Sequence, residues 1–351
     1  MFSTSGFLSG FYNVELHHHL DGSIRKKTVC ELAKQYDIPF DDQKFEEALN
    51  ASNSLVPFLE CFQMFLPVIQ GNPDALERLA YECVEDQYNN RVAFFETRVA
   101  PFFLLRNSGG DLDFDCIQTC CVHDVVDAIL MGLERGEKDF GVKSTLIFCN
   151  LRGQTQWLQP LTKLIRHYKS NPKIVGIDMA GNENLAWSTE ELELTKEWYR
   201  VARSLGYGCT FHAGEQGMVQ NIERALDEIK SHRIGHGYAL FKDENLLARC
   251  KAERVPFEYC PISAKTLSSL GTSFDDPNNP ILLGKKHEVN FSISCDDSLF
   301  FGNLLPSIKI CRDVLGFSEE YLFTIRENAA RATFLPEEEK AKLINHITLR
   351  M

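Results

Sequence analysis

Residues 13–20 read Asn-Val-Glu-Leu-His-His-His-Leu and run directly into Asp21-Gly22. Successive side chains of a strand face opposite ways. His17, His19 and Asp21 therefore share one face, and Leu16, His18 and Leu20 take the other. Two imidazoles one residue apart can reach a single metal ion. His18 falls in the apolar phase, facing the helix layer. An affinity tag is a poor explanation, because the run holds only three consecutive histidines and a strand pattern encloses them.

Working outward, seven further short apolar or alternating runs follow: Val92–Ala100, Ser144–Leu151, Ile174–Ala180, Cys209–Ala213, Arg233–Gly237, Val255–Cys260 and Asn290–Cys295. Amphipathic helical patterns separate them, among them Thr189–Ser204, Val219–Ser231 and Glu244–Arg254. Strand then helix, eight times over, predicts parallel βαβ units. Eight units, with no Gly-rich phosphate turn, favour a closed barrel over an open doubly wound sheet. The expected fold is an α/β single-domain (β/α)8 TIM barrel spanning 1–351. About 70 residues separate the first two strands, more than one crossover helix needs, so extra helices are expected there, over the barrel mouth. Glu319 to Arg350 reads as a closing helix.

The 351 residues carry 37 basic and 49 acidic side chains, a net charge of −12. That balance argues against nucleic acid or an anionic membrane as partner. No apolar run approaches the roughly 18–20 residues of a membrane span. Met1 to Asn13 lacks a basic start and a continuous apolar stretch, so no secretory signal is expected. The twelve cysteines are scattered, without a Cys-x-x-Cys pair. They read as small buried hydrophobes in a reducing, cytoplasmic setting.

Three more strand ends carry polar groups. Phe211-His212-Ala213-Gly214-Glu215 puts His212 in the inward phase, with Glu215 on the following turn. In Arg233-Ile234-Gly235-His236-Gly237-Tyr238, flanking glycines permit close approach. Ser292-Ile293-Ser294-Cys295-Asp296-Asp297 has a small, acidic inward phase. Adjacent carboxylates repel unless a cation or a shared proton separates them, which makes Asp296 the natural fourth protein ligand. Any of these motifs alone is compatible with a structural histidine or a solvated loop. Together they predict a nitrogen- and oxygen-ligated Zn2+ site with an open position, leaving Glu215 and His236 for proton transfer: metal-assisted hydrolysis.

These motifs, in this order, resemble the adenosine deaminase family of the metal-dependent amidohydrolases. The likeness extends over Val14–Arg25, Phe95–Pro101, Gly176–Glu183, His212–Glu215, Arg233–Tyr238, Glu258–Ser263, Ser292–Asp297 and Phe334–Glu339. It implies zinc-dependent conversion of adenosine or 2′-deoxyadenosine to the inosine products with loss of ammonia, one Zn2+ per chain, and a monomer. By the same likeness His17, His19, His212 and Asp296 are the metal ligands. Glu215 protonates purine N1, His236 orients the attacking water, Asp297 bonds N7 and the Gly181 N–H bonds N3. Asp178 and Ser263 stand behind them. Asp21 is implied as acceptor of the ribose 5′-hydroxyl, where a carboxylate repels a phosphate and so disfavours AMP and N6-methyl-AMP. Leu55, Phe58, Leu59 and Phe62, at i, i+3, i+4 and i+7, are implied as an apolar gate; the same spacing suits a helix simply packed on the core. His19 is implied to face substrate as well as metal. The chain departs from the family at Ser298, where proline is usual and a looser loop is expected. It also departs at Ser263-Ala264, at His18, and in a short Leu104–Asp115 segment without tryptophan. A deaminase of another N6-bearing purine and a catalytically silent adenosine-binding protein are the competing expectations; the second would be expected to have lost a ligand or the acid.

Overall fold

Runs such as Leu146-Ile147-Phe148-Cys149 are fully buried, as strands covered by helices on one face and by the barrel interior on the other must be. The computed structural model describes residues 7–106, 120–268 and 273–348. Eight strands pair in parallel in chain order: β1 (Asn13–His19), β2 (Val92–Val99), β3 (Lys143–Leu151), β4 (Ile174–Ala180), β5 (Gly208–Ala213), β6 (Arg233–His236), β7 (Phe257–Tyr259) and β8 (Phe291–Ile293). The ring closes through one bridge between His18 and Asp296. There the His19 N–H donates to the Asp296 carbonyl (3.1 Å) and the Asp296 N–H to the His17 carbonyl (3.0 Å). This is the (β/α)8 barrel expected from the sequence.

Four helices fill the first crossover: Lys26–Gln35, Asp42–Ala51, Leu55–Ile69 and Pro73–Asn89. Local chemistry starts two of them. The Asp41 side chain accepts from the Lys44 N–H, and Asn72 accepts from the Ala75 N–H just ahead of a helix opened by Pro73. The Leu55–Ile69 helix lies against the mouth of the barrel, as its place in the insertion predicts.

Three element ends differ from the sequence expectation. The helix expected over Val219–Ser231 ends at Asp227, and the one over Glu244–Arg254 ends at Ala252. Each is followed by a non-glycine residue in the left-handed region, Lys230 at φ 59° and Arg254 at φ 51°, a backbone state that cannot continue a right-handed helix. The closing segment is two helices, Glu319–Ala332 and Glu337–Thr348, instead of one. The break lets Phe334 turn into the base of the barrel. Its ring lies 3.7 Å from the Arg233 guanidinium. It occupies space that a Cβ on Gly208 would enter at 2.0 Å.

Regular pairing also fails inside β1, whose register with β2 shifts at two places, the first between Asn13 and Val14. The second shift lies between Glu15 and His18, and the Leu16 and His17 N–H groups both donate to the Ser294 hydroxyl oxygen (3.2 and 3.0 Å). This bulge lets Glu15 accept from Gln87 Nε2 on the Pro73–Asn89 helix (2.6 Å) while His17, two residues on, faces the barrel interior.

Candidate active site

At the C-terminal ends of the strands lies a cavity of 240 Å³. His19, Asp21, Gly181, His212, Glu215, His236, Asp296 and Asp297 line it, with Leu55, Phe58, Leu59 and Phe62 across its mouth. His17 sits beneath it, fully buried. All the residues singled out from sequence are thus brought to one place.

Four side chains converge there. His19 Nε2 is 3.1 Å from His212 Nε2. Asp296 Oδ1 is 3.4 Å from His17 Nε2 and 3.5 Å from His19 Nε2. Ligands about 2.0–2.2 Å from a tetrahedral zinc ion stand roughly 3.3 Å from one another, so these separations fit such an ion. The ring tautomers fit as well. His17 Nδ1 donates to Glu258 Oε2 (2.7 Å) and His212 Nδ1 to Asp178 Oδ2 (3.0 Å), which turns both Nε2 lone pairs inward. His17 Nε2 is buried and has no hydrogen-bond partner among the described residues. Burial also holds His19 and His236 well below the ordinary imidazole value, so both rings are neutral. His18 faces away and meets Thr97 Oγ1 at 2.9 Å.

The charges behind the histidines were not legible from the motifs. Arg98 lies in β2, fully buried. It donates from Nη1 to Asp178 Oδ2 and from Nη2 to Glu258 Oε2, both at 2.7 Å. One guanidinium therefore ties together the two carboxylates that orient His212 and His17. Glu258 Oε1 accepts from Thr210 Oγ1 and Arg233 Nε, again at 2.7 Å. Burial pushes Glu258 upward, but Arg98 and Arg233 hold it well below the usual carboxylate range. The signal available in sequence was an alternation of charge, Glu96 then Arg98, within an otherwise apolar strand. Ser263 is buried, yet its hydroxyl has no partner among the described residues.

Backbone strain gathers at the same place. His236 and Asp296 have φ of 62° and 74°, a cost tolerated where the surroundings dictate the conformation. A Cβ on Gly235 would come within 3.1 Å of His17 Cε1 and 3.2 Å of His212 Cα, so glycine lets the two ligands pack over β6. A Cβ on Gly22 would stand 1.6 Å from Asp297 Oδ1.

The acids divide by environment. Burial pushes Glu215 well above the ordinary carboxyl value, and the negative charges of Asp296 and Glu183 add to it. Burial, then Asp296 and Asp21, raises Asp297 in the same way. Asp21 accepts from the Ala100 N–H (3.2 Å), and burial pushes it up to about 6.

The gate residues belong to the Leu55–Ile69 helix, which packs on the core and lines the cavity at once. Phe58 and Phe62 meet Phe300 at ring-centroid distances of 4.6 and 5.5 Å. Phe300 sits in a short helix, Ser298–Phe301, just after Asp297. The Ser298 N–H donates to Ser23 Oγ (3.2 Å), a tie that proline could not make. Residues 107–115 of the short segment noted above lie outside the described residues.

The adenosine deaminase profile matches residues 13–349. The chain is 33% identical to adenosine deaminase of Danio rerio over 341 residues, covering 95% of this chain and 94% of that one. It is 34% identical to the Mus musculus enzyme over 343 residues (95% and 96%) and 31% to that of Clostridium acetobutylicum over 342 residues (95% and 96%). Among solved structures, an adenine deaminase from Arthrobacter aurescens superposes with a TM-score of 0.82 at 24% identity, over 97% of this chain and 98% of that one. An Arabidopsis N6-mAMP deaminase superposes with 0.81 at 23%, over 97% and 98%.

Proposed function

The chain belongs to the adenosine deaminase family, and from that premise we propose how its residues divide the work. The reaction is the hydrolytic deamination of adenosine and 2′-deoxyadenosine to inosine and 2′-deoxyinosine with release of ammonia, a step of purine salvage; the cofactor is Zn2+, one per chain. His17, His19, His212 and Asp296 hold the ion. When bound, it supplies Lewis acidity and makes water a nucleophile at neutral pH.

Glu215 arrives protonated and donates to purine N1, which drains electron density from C6. His236, neutral and beside Asp296 (Nε2 to Oδ2, 4.0 Å), orients the water that adds to C6 and holds a proton from it. Asp297 also arrives protonated and donates to N7. The Gly181 N–H donates to N3; this glycine lines the cavity, with φ of 88°. Asp21, ionised at neutral pH, accepts the 5′-hydroxyl and opposes a 5′-phosphate. The proton held at His236 passes to the exocyclic amine, the C6–N bond breaks and ammonia leaves, while the hydroxyl on C6 returns its proton to Glu215 and becomes the carbonyl. Leu55, Phe58, Leu59 and Phe62 exclude solvent from above.

The observation that carries this assignment is the placing of a buried, proton-holding Glu215 on the same cavity wall as the three-histidine, one-aspartate cluster. Loss of adenosine absorbance, run beside AMP with zinc measured on the same sample, tests it. Turnover of adenosine but not AMP, abolished by a chelator and restored by zinc, is expected. Equal turnover of AMP would overturn the role of Asp21.

A monomer within one 1–351 domain is part of the proposal and rests on the family likeness, which runs over residues 13–349. No helix among the described residues is long and apolar enough to cross a membrane. Buried free thiols such as Cys61, Cys83, Cys250 and Cys311 support placing the protein in the cytoplasm.

A further inference from the structure

Glu215 is held by its neighbours in the chain more than by its own side chain. Gly214 has φ of 73°, and the 214–216 turn leaves the strand with two amide N–H groups that no helix or strand satisfies. Both go to one carboxylate. Glu183, on the loop after β4, accepts from the Gly214 N–H at Oε1 and from the Gln216 N–H at Oε2 (2.7 Å). Asn221 Nδ2 donates to the same Oε1 (2.9 Å). The carbonyl of Glu215 is fixed from the other side by Ser268 Oγ (2.6 Å). Among the described residues three donors and no acceptor hydrogen-bond to Glu183, whose own side chain is buried and lies outside the substrate cavity.

We propose that Glu183 is the positioning residue for Glu215: its carboxylate grips the amides on either side of the acid and lays a negative charge alongside it. The inference rests on Glu215 being the proton donor. A neutral glutamine at 183 could not serve both amides, because its NH2 would face one of the two N–H groups. Other charges also bear on Glu215. Asp296 and Asp297 at the end of β8 act in the same sense as Glu183, and Arg152 at the end of β3 opposes them. His236 at the end of β6, Tyr238 just after it and His212 in β5 are neutral neighbours.

The test is the pH profile of kcat/KM for adenosine in zinc-loaded wild type, E183Q, E183D and E215Q. Removing a neighbouring negative charge lets Glu215 lose its proton earlier, so the alkaline limb of E183Q should move to lower pH by about one unit. On that limb the rate falls roughly tenfold. E183D keeps the charge but shortens the grip; its rate should fall at every pH while the limb stays in place. A lower rate in E183Q with an unmoved limb would mean a scaffolding role only and overturn the proposal. Should E183Q fail to fold, E183A with added formate replaces it: return of the limb toward wild type supports the proposal, and a folded, zinc-loaded E183A indifferent to formate overturns it. E215Q separates this inference from its premise. If E215Q keeps wild-type activity, Glu215 is not the donor; if E215Q is inactive and E183Q has an unmoved limb, only the role of Glu183 falls.

Discussion

The two ends of the barrel are made from the same eight strands and hold charge in opposite ways. At the N-terminal base, Arg233 meets Glu96 at 2.6 Å and Glu258 at 2.7 Å, and the Phe334 ring closes over it. Every strong group there has an opposite partner. At the C-terminal mouth, two neighbouring aspartates, a buried glutamate and neutral imidazoles face one cavity. Two of those residues have strained backbones. One end is arranged for stability and the other keeps groups that stability alone would not select.

Substitutions that act on one end and not the other can break this contrast. Glu215→Gln should lower kcat by about 10²- to 10⁴-fold with zinc content unchanged and thermal stability equal or higher, because it removes a buried acid. A parallel fall in Tm would show that the mouth also carries stability. Phe334→Ala should do the reverse. It empties an aromatic site and should cost about 3–5 kcal/mol in denaturant unfolding, while kcat/KM at low temperature stays within about threefold. Asp21→Asn should narrow the preference for adenosine over AMP by about tenfold, read from the ratio of the two kcat/KM values and not from either alone. Ser298→Pro is the smallest change. Asp297 before it is already extended at φ −100°, ψ 100°, and Ser298 opens its helix, where proline is well suited. Losing the bond to Ser23 against that gain should leave stability within about 1 kcal/mol and kcat/KM within about threefold.

Much of the mouth was legible before any coordinates, because strand alternation sorts residues by face. His17, His19, His212 and Asp296 stand in polar phases at strand ends, and their phases converge in a closed barrel. What alternation cannot supply is the partner across the barrel. Arg98, Glu258 and Glu183 matter through partners 160, 80 and 31 positions away in the chain, in the Arg98–Glu258, Arg98–Asp178 and Glu183–Gly214 bonds. Nor does period two survive an inserted residue, as the Glu15–His18 bulge shows. The split of the closing helix was hidden for a related reason. Phe334-Leu335-Pro336 looks like ordinary helix punctuation until Gly176 and Gly208 are seen to leave room for a ring beneath the strands.

The single bridge that closes the ring has a consequence for how the molecule breathes. Every other pair of neighbouring strands shares a ladder of at least two paired residues, whereas β8 and β1 meet through one His18–Asp296 bridge and side-chain bonds to Ser294 and Glu15. Local opening should begin at that seam, and amide hydrogen exchange there should be the fastest within the barrel strands. His17 and His19 stand on one side of it and Asp296 on the other. An ion held by the ligand set proposed above would staple the seam shut, and slower exchange at these few amides on zinc loading would report closure of the barrel separately from catalysis.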